Sequence, residues 1–304
     1  MTVSQHNRRV HVFAVFTASC TFLLLIAGAL VTSNDAGLAV PDWPLSYGSL
    51  TPPMVGGIFY EHGHRMIAAF VGMLSIVLAV WLWRVESRPW VRWLGVTALG
   101  AVVAQGLLGG LTVLFFLPAP ISAAHATLAQ IFFGAVVSIV LFTSAWWEQQ
   151  RPAVVDSPGI PVLSLGIATA AATLLQLVLG AAFRHKGFGI VPHLFGAAIV
   201  TVLMFWFARV LRRRFGELPV LRGSARLMHA LIGLQLCLGV AAWWSRRYGA
   251  QFPQPIPVTV GLTVAHTVAG ALLLATVVLV TLACYRLVCP LAATNRVVIR
   301  ARQA

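Results

Sequence analysis

The chain has 304 residues, 59% of them apolar and 9% charged, with 21 Lys+Arg against 7 Asp+Glu and a formal net charge of +14. Typical soluble domains carry about 25% charged residues, so a soluble enzyme of this size is excluded, and so is a disordered chain. Nearly uncharged stretches recur from residue 12 to residue 285, with a mean hydropathy of +0.89, which leaves a polytopic membrane protein.

Eight spans are predicted in chain order, at about 12–33, 62–83, 93–117, 122–145, 161–183, 192–211, 226–244 and 258–284. Each is an apolar run near the length of about 17–25 residues that crosses the hydrocarbon. The runs are continuous rather than alternating, so they read as helices and not as barrel strands. The first run, His11–Thr32, is too long for a signal-peptide core and lacks a small-residue cleavage pattern, so it is expected to be retained. The predicted fold class is an all-α membrane protein.

The basic residues are 20 Arg and one Lys, mostly in short connections between apolar runs. This distribution reads as positive-inside topology and not as a nucleic-acid surface. With the N-terminus inside, sixteen basic residues fall on the cytoplasmic side: Arg8, Arg9, Arg84, Arg88, Arg92, Arg151, the Arg209–Arg226 cluster, Arg286, Arg296, Arg300 and Arg302. Only five fall outside. Both termini are therefore expected in the cytoplasm of a cell (inner) membrane protein.

The first outer loop, 34–61, is the longest connection, and its NDAGLAVPDWPLSYG segment is dense in turn formers around Trp43. It is expected to fold over the outer mouth of the bundle. Other tryptophans near span ends (Trp81, Trp83, Trp90, Trp93, Trp146, Trp147, Trp243, Trp244) fit interfacial belts.

QGLLGG at 105–110 recurs as QLVLGA at 176–181 and QLCLGV at 235–240, with a looser IAGALV at 26–31. These lie in the odd-numbered spans, and each even-numbered span carries a His: His64, His125, His193 and His266. Aligning spans 1–4 with spans 5–8 preserves the pattern, since 129 residues separate His64 from His193 and 130 separate Gln105 from Gln235. A four-span unit used twice in one orientation predicts two parallel-repeat four-helix bundles, 1–150 and 151–304. The small residues after each Gln are expected to serve close helix packing.

A single buried His can be a satisfied core residue. Four at comparable outer depth favour two bis-His haem sites instead, His64 with His125 and His193 with His266. No CxxC occurs, so covalent haem attachment and an iron–sulfur site are not indicated. His6, His11 and His229 lie toward the cytoplasmic side, while His62 and His185 are outer-face neighbours of the haem positions.

The first half adds a carboxylate. In YEHGHR, Glu61 precedes His64 by three residues on one helical face, whereas FGIVPH before His193 has none. A Glu entering a membrane helix caps, pairs or reacts. An N-terminal cap, an ion pair with Arg65 and a chemical role are all open at this point. Arg184, Lys186, Arg246 and Arg247 break the positive-inside pattern and fit haem propionates or interfacial lipid.

GALVTSNDAGLAVPDWPL after the first span, EHGHR opening the second, the GLLGG and LVLGA runs, and single histidines in spans four, six and eight resemble the haem A synthase family over nearly the whole chain. That resemblance implies oxidation of the C8 methyl of haem O to the formyl group of haem A, in support of cytochrome c oxidase biogenesis. It implies Glu61 as the catalytic carboxylate, His64 and His125 around the substrate haem O, and His193 and His266 as ligands of haem b. Implied partners are haem O, haem O synthase, oxidase assembly proteins and an unidentified electron acceptor. The family's first outer loop often carries a cysteine pair; here Ser46 follows DWPL and the loop has no Cys. Two other classes share the four histidines: a b-type membrane cytochrome taking electrons from quinol, and a haem-handling membrane transporter.

Overall fold

The computed structural model describes residues 7–151 and 153–290, so His6, Arg296, Arg300 and Arg302 lie outside the described residues. Eight long helices carry the fold: α1 (Arg8–Ser33), α2 (Gly56–Val85), α3 (Pro89–Leu114), α4 (Ala119–Phe142), α6 (Val162–Arg184), α7 (Val191–Arg214), α8 (Pro219–Gly249) and α9 (Pro257–Leu287). Between α4 and α6 lie the single-turn α5 (Ala145–Glu148) and the two-residue strand β1 (Val154–Val155). All eight long helices are long and apolar enough to cross a membrane, and the chain is a multi-pass membrane protein.

The helix starts follow from local sequence. Asn7 caps α1 by accepting from the Val10 N–H at 3.2 Å. Proline stands in the first turn of α3, α4, α7, α8 and α9, where its missing N–H has no intrahelical acceptor to lose. Two helices outrun their apolar cores. α2 begins six residues before the expected span, which places Glu61, His62 and His64 inside the helix. α8 continues through Arg246 and Arg247 to Gly249, so those arginines project from a helix and not from a loop.

Buried apolar side chains form two main cores. One joins α1 to α5, with Val10, Val71, Leu82, Val136 and Ile139 at its centre. The other joins α6 to α9 around Met204, Phe207, Leu211, Met228 and Val277. A small cluster of Phe133, Ala271 and Ala275 bridges α4 and α9. Trp147, expected in an interfacial belt, is instead buried in the first core, edge-on to Phe142 with ring centroids 4.7 Å apart. Trp83, Trp90, Trp93, Trp243 and Trp244 are exposed.

The end opposite the four histidines is fastened by charge-assisted hydrogen bonds. Arg88 donates to both carboxylate oxygens of Glu86, at 2.8 and 2.7 Å, and to the Phe142 carbonyl at 2.9 Å. Asp156 accepts from the Val162 N–H at 2.8 Å and pairs with Arg214 at 3.4 Å. β1 runs parallel to β2 (Val288–Cys289), which fixes Val154 and Val155 against the end of α9.

Candidate functional site

Each of the four even-span histidines rests against one glycine of the helix before it. A Cβ built on Gly28 of α1 would lie 3.1 Å from His64 Cε1 of α2. The same atom on Gly109 would lie 3.2 Å from His125 Cε1, on Gly180 2.9 Å from His193 Cε1, and on Gly239 3.0 Å from His266 Cε1. These four glycines serve close packing, as the sequence suggested, and the group packed on each is an imidazole of the next helix. They are the floor on which each imidazole lies, and any side chain there would push the ring.

Glutamine, one turn before the glycine on the same helix, brackets two of these rings, while at His266 the buried Nδ1 has no hydrogen-bond partner. Gln105 donates through Nε2 to the His125 backbone carbonyl at 2.9 Å, and His125 Nδ1 lies 3.2 Å from the Gln105 carbonyl. Gln176 donates to the His193 carbonyl at 2.9 Å and stands 3.0 Å from His193 Nδ1. Gln235 reaches α9 beside Gly270, where a Cβ would meet its Nε2 at 3.3 Å. Gly196 clears space in the same way for Gln176. The common register is Gln-x-x-x-Gly, and in α1 it falls on Leu24–Gly28. The IAGALV segment at 26–31 is thus two residues out of step with its copies. The correct equivalent, LLIAGA at 24–29, was hidden because Leu24 replaces the glutamine.

The structure brings His193 and His266 together, with ring centroids 6.2 Å apart and ring planes at 83°. Phe183 stacks on His193 at 6.4 Å and 14°. His64 and His125 are within electrostatic reach of each other. His185 follows the end of α6; burial, then the charges of Arg184 and His125, push its imidazole down to about 4. His11 and His229 lie elsewhere, against Thr143 and the Ala225 carbonyl. Among the described residues no three His, Cys, Asp or Glu side chains converge to hold a bare metal ion.

Glu61 is buried, and both its oxygens are engaged. One accepts from the Val40 N–H of the long loop at 2.8 Å, and the other pairs with Arg65 at 2.6 Å. Of the three roles open from sequence, the ion pair is present. The N-terminal cap is not, because α2 starts five residues earlier. Arg65 also donates to the Asp42 and Leu45 carbonyls, at 2.7 Å each, and to the Val40 carbonyl at 3.3 Å. Ser46 bonds His62 at 2.8 Å, and the Asp42 carboxylate accepts from the Tyr47 and Gly48 N–H groups. A polar clasp built on α2 thus holds the cysteine-free loop. Val40, Ser46 and His62 lie within or beside the quoted motifs, but no sequence pattern marks which groups they pair with.

The clasp seats Trp43 on α3. A Cβ on Gly110 would lie 2.7 Å from Trp43 Cδ2, next to the glycine that supports His125. At the same end of the molecule, Arg184 donates to Ser33 at 3.0 Å, and Ser33 bonds Thr263 at 2.9 Å, so α6, α1 and α9 meet there. A cavity of about 250 Å³ opens beside this junction, lined by Ser33, Asp35, Ser245, Arg246, Thr259 and Thr263 among others.

Residues 55–195, from the start of α2 to the start of α7, match a family described as cytochrome oxidase assembly protein. The chain is 37% identical over 143 residues to the heme A synthase of Shouchella clausii, covering 45% of this chain and 46% of that protein. It is 36% identical over 143 residues to the heme A synthase of Lysinibacillus sphaericus, covering 45% and 47%. The alignments to these two relatives therefore span about half of their length. With the heme A synthase of Symbiobacterium thermophilum the likeness extends to 258 residues at 32% identity, 74% of this chain and 83% of that protein. An alignment of that extent reaches both halves of the helix array, and by it the chain belongs to the haem A synthase family.

Proposed function

We propose that this protein is a haem A synthase, an oxidoreductase that converts the C8 methyl of haem O to the formyl group of haem A by successive hydroxylations and so supports cytochrome c oxidase biogenesis. The observation that carries the reading is the difference between the two histidine pairs. In residues 1–150 a buried carboxylate, Glu61, stands one helical turn before His64, whereas in residues 151–304 the equivalent position before His193 is Ile190. Proton chemistry is therefore available beside the first pair and not beside the second.

His64 and His125 would embrace haem O. Glu61 is held by the Val40 N–H and by Arg65, which fixes the direction of its carboxylate. Its role is to accept a proton or to position water near the carbon that is oxidised. Trp43 and the clasp close the loop over this end and exclude bulk water.

His193 and His266 would hold a resident haem b. The separation of 6.2 Å supports this, because two metal–imidazole bonds of about 2 Å each, added to the distance from each ring centre to its nitrogen, give about 6 Å. A haem bound there supplies one-electron transfer. The chain's own contribution is to fix both rings, through Gly180, Gly239 and Gln176. Arg184 and Arg246 supply positive charge for propionates at the junction of α1, α6, α8 and α9.

In this reading the histidine end faces the outside of the cell (inner) membrane and both termini lie in the cytoplasm, which the excess of Arg in the connections at the other end supports. Partners are haem O, the enzyme that supplies it, oxidase assembly proteins and an electron acceptor. The test is to purify the protein from cells supplied with haem O and to separate the extracted haems by chromatography and mass. Haem A or its hydroxylated precursor is expected from the wild type. Glu61→Ala should abolish both while the protein stays red. A wild type that yields neither would reject the synthase reading.

A further inference from the structure

The seam between α7 and α8, at the end opposite the four histidines, is basic where its copy in the first half is mostly apolar. Phe205 of α7 and His229 of α8 meet there with ring centroids 5.0 Å apart. From that contact toward the helix ends, α7 carries Arg209 and Arg212, and α8 carries Arg226 and Arg222. Spacings of three, four and seven residues keep each set on one helical face. The ring contact therefore turns all four arginines, each of them exposed, to the same seam. The repeat offsets, 129 residues from His64 to His193 and 130 from Gln105 to Gln235, put Val80, Trp83, Arg92 and Val96 at the corresponding places between α2 and α3. Arg92 there donates to the Glu86 carbonyl. The repeat thus folds with one arginine at this seam, and packing does not account for four.

Nor does the chain neutralise them. Among the described residues none of the four makes an ion pair, and the neighbouring Arg214 is taken by Asp156. Glu217, in the α7–α8 turn, pairs with none of them, and the residues outside the described ones include no Asp or Glu. The counter-charge must come from another molecule. We propose that this seam binds an anionic phospholipid, its phosphate between the arginine pairs and its acyl chains along α7. At a rise of about 1.5 Å per residue the four arginines lie within about 10 Å of the helix ends, the level of lipid headgroups. Guanidinium forks match phosphate oxygens, and basic pockets between spanning helices suit such headgroups. Deeper on the same helix, Phe205 and Val202 are 47% and 65% exposed and continue the site as an apolar surface. That continuation favours a lipid over an acidic protein, which would use the charge alone.

The test uses purified full-length protein in non-ionic detergent, titrated with dioleoyl phosphatidylglycerol and followed by native mass spectrometry. Dioleoyl phosphatidylcholine is the zwitterionic comparison. The wild type should hold one phosphatidylglycerol more tightly than any phosphatidylcholine, and the preference should fade at high salt. Arg209→Gln and Arg226→Gln should each weaken that binding about fivefold, and the double variant roughly 25-fold. Arg84→Gln, which removes an exposed arginine from the end of α2, should leave it unchanged. Melting temperature without lipid reports whether a variant folds. Should a glutamine variant misfold, Arg209→Lys and Arg226→Lys keep the charge and lose only the fork, so each should weaken binding by less than fivefold. Equal binding of the two lipids, or an equal loss in Arg84→Gln, would overturn the proposal. Displacement of phosphatidylglycerol by inorganic phosphate or by polyglutamate would also overturn it, in favour of a free phosphate or an acidic protein.

Discussion

Glu61 and Arg65, one turn apart on α2, form an ion pair of 2.6 Å, and the same guanidinium holds three carbonyls of the long loop. One arginine therefore orients the buried carboxylate and fastens the cover of the first histidine pair.

Arg65→Gln removes both functions, so product formation should fall at least about tenfold and the loop should open to protease. Arg65→Lys keeps the charge but cannot fork to several carbonyls. It should recover part of the activity and little of the protection. Haem A yield and limited proteolysis of 40–50 measure the two effects separately.

The glycine floor should be intolerant where it meets a ring and tolerant elsewhere on the same helix. Gly239→Ala places a methyl 3.0 Å from His266 Cε1, whereas Gly233 has open space around it. Gly239→Ala should lower haem b occupancy or shift its spectrum, and Gly233→Ala should leave both unchanged. The ratio of haem to protein in the purified variants checks this.

Asp42 gives the clasp a pH limit. Hydrogen bonds from the Gly48 and Tyr47 N–H groups, in that order, hold its carboxyl below the ordinary 3.8. A carboxylate lowered on folding stabilises the clasp above its unfolded pKa and loses that contribution as pH falls through the folded one. Protease protection of the loop should persist as pH drops to about 4 and fail only below it. Asp42→Asn should lose the protection at neutral pH.

Glu86 should matter for stability alone. Burial pushes its carboxyl up, but the hydrogen bonds and charge of Arg88 outweigh this and hold it below the ordinary 4.5. Glu86→Gln should destabilise the chain by about 1–3 kcal/mol, the scale of a lost charge-assisted hydrogen bond. The melting temperature in detergent should drop with haem content unaltered at low temperature.

Eight helices were legible because apolar runs of spanning length have one solution in a bilayer. Their ends were less so: α2 begins early because Gly56–Tyr60 carries no charge, and α8 continues past the apolar limit because Arg246 and Arg247 sit in its last turn, where cations suit the helix C-terminus. The four histidines and Glu61 stood out as polar groups in apolar context. The pairing of Gly28 with His64 did not, because it joins residues 36 positions apart in a copy whose glutamine is Leu24. Nor did the clasp, since Val40 contributes only a backbone N–H and no side-chain pattern records that.

The central claim is a division of labour, with substrate haem on His64 and His125 and resident haem b on His193 and His266. Its most direct measurement is the haem content of His266→Ala and His125→Ala, each purified with and without haem O supplied to the cells. His266→Ala should lack the haem b spectrum in both conditions, and His125→Ala should keep haem b while losing haem O. A full haem b spectrum in His266→Ala would contradict the account.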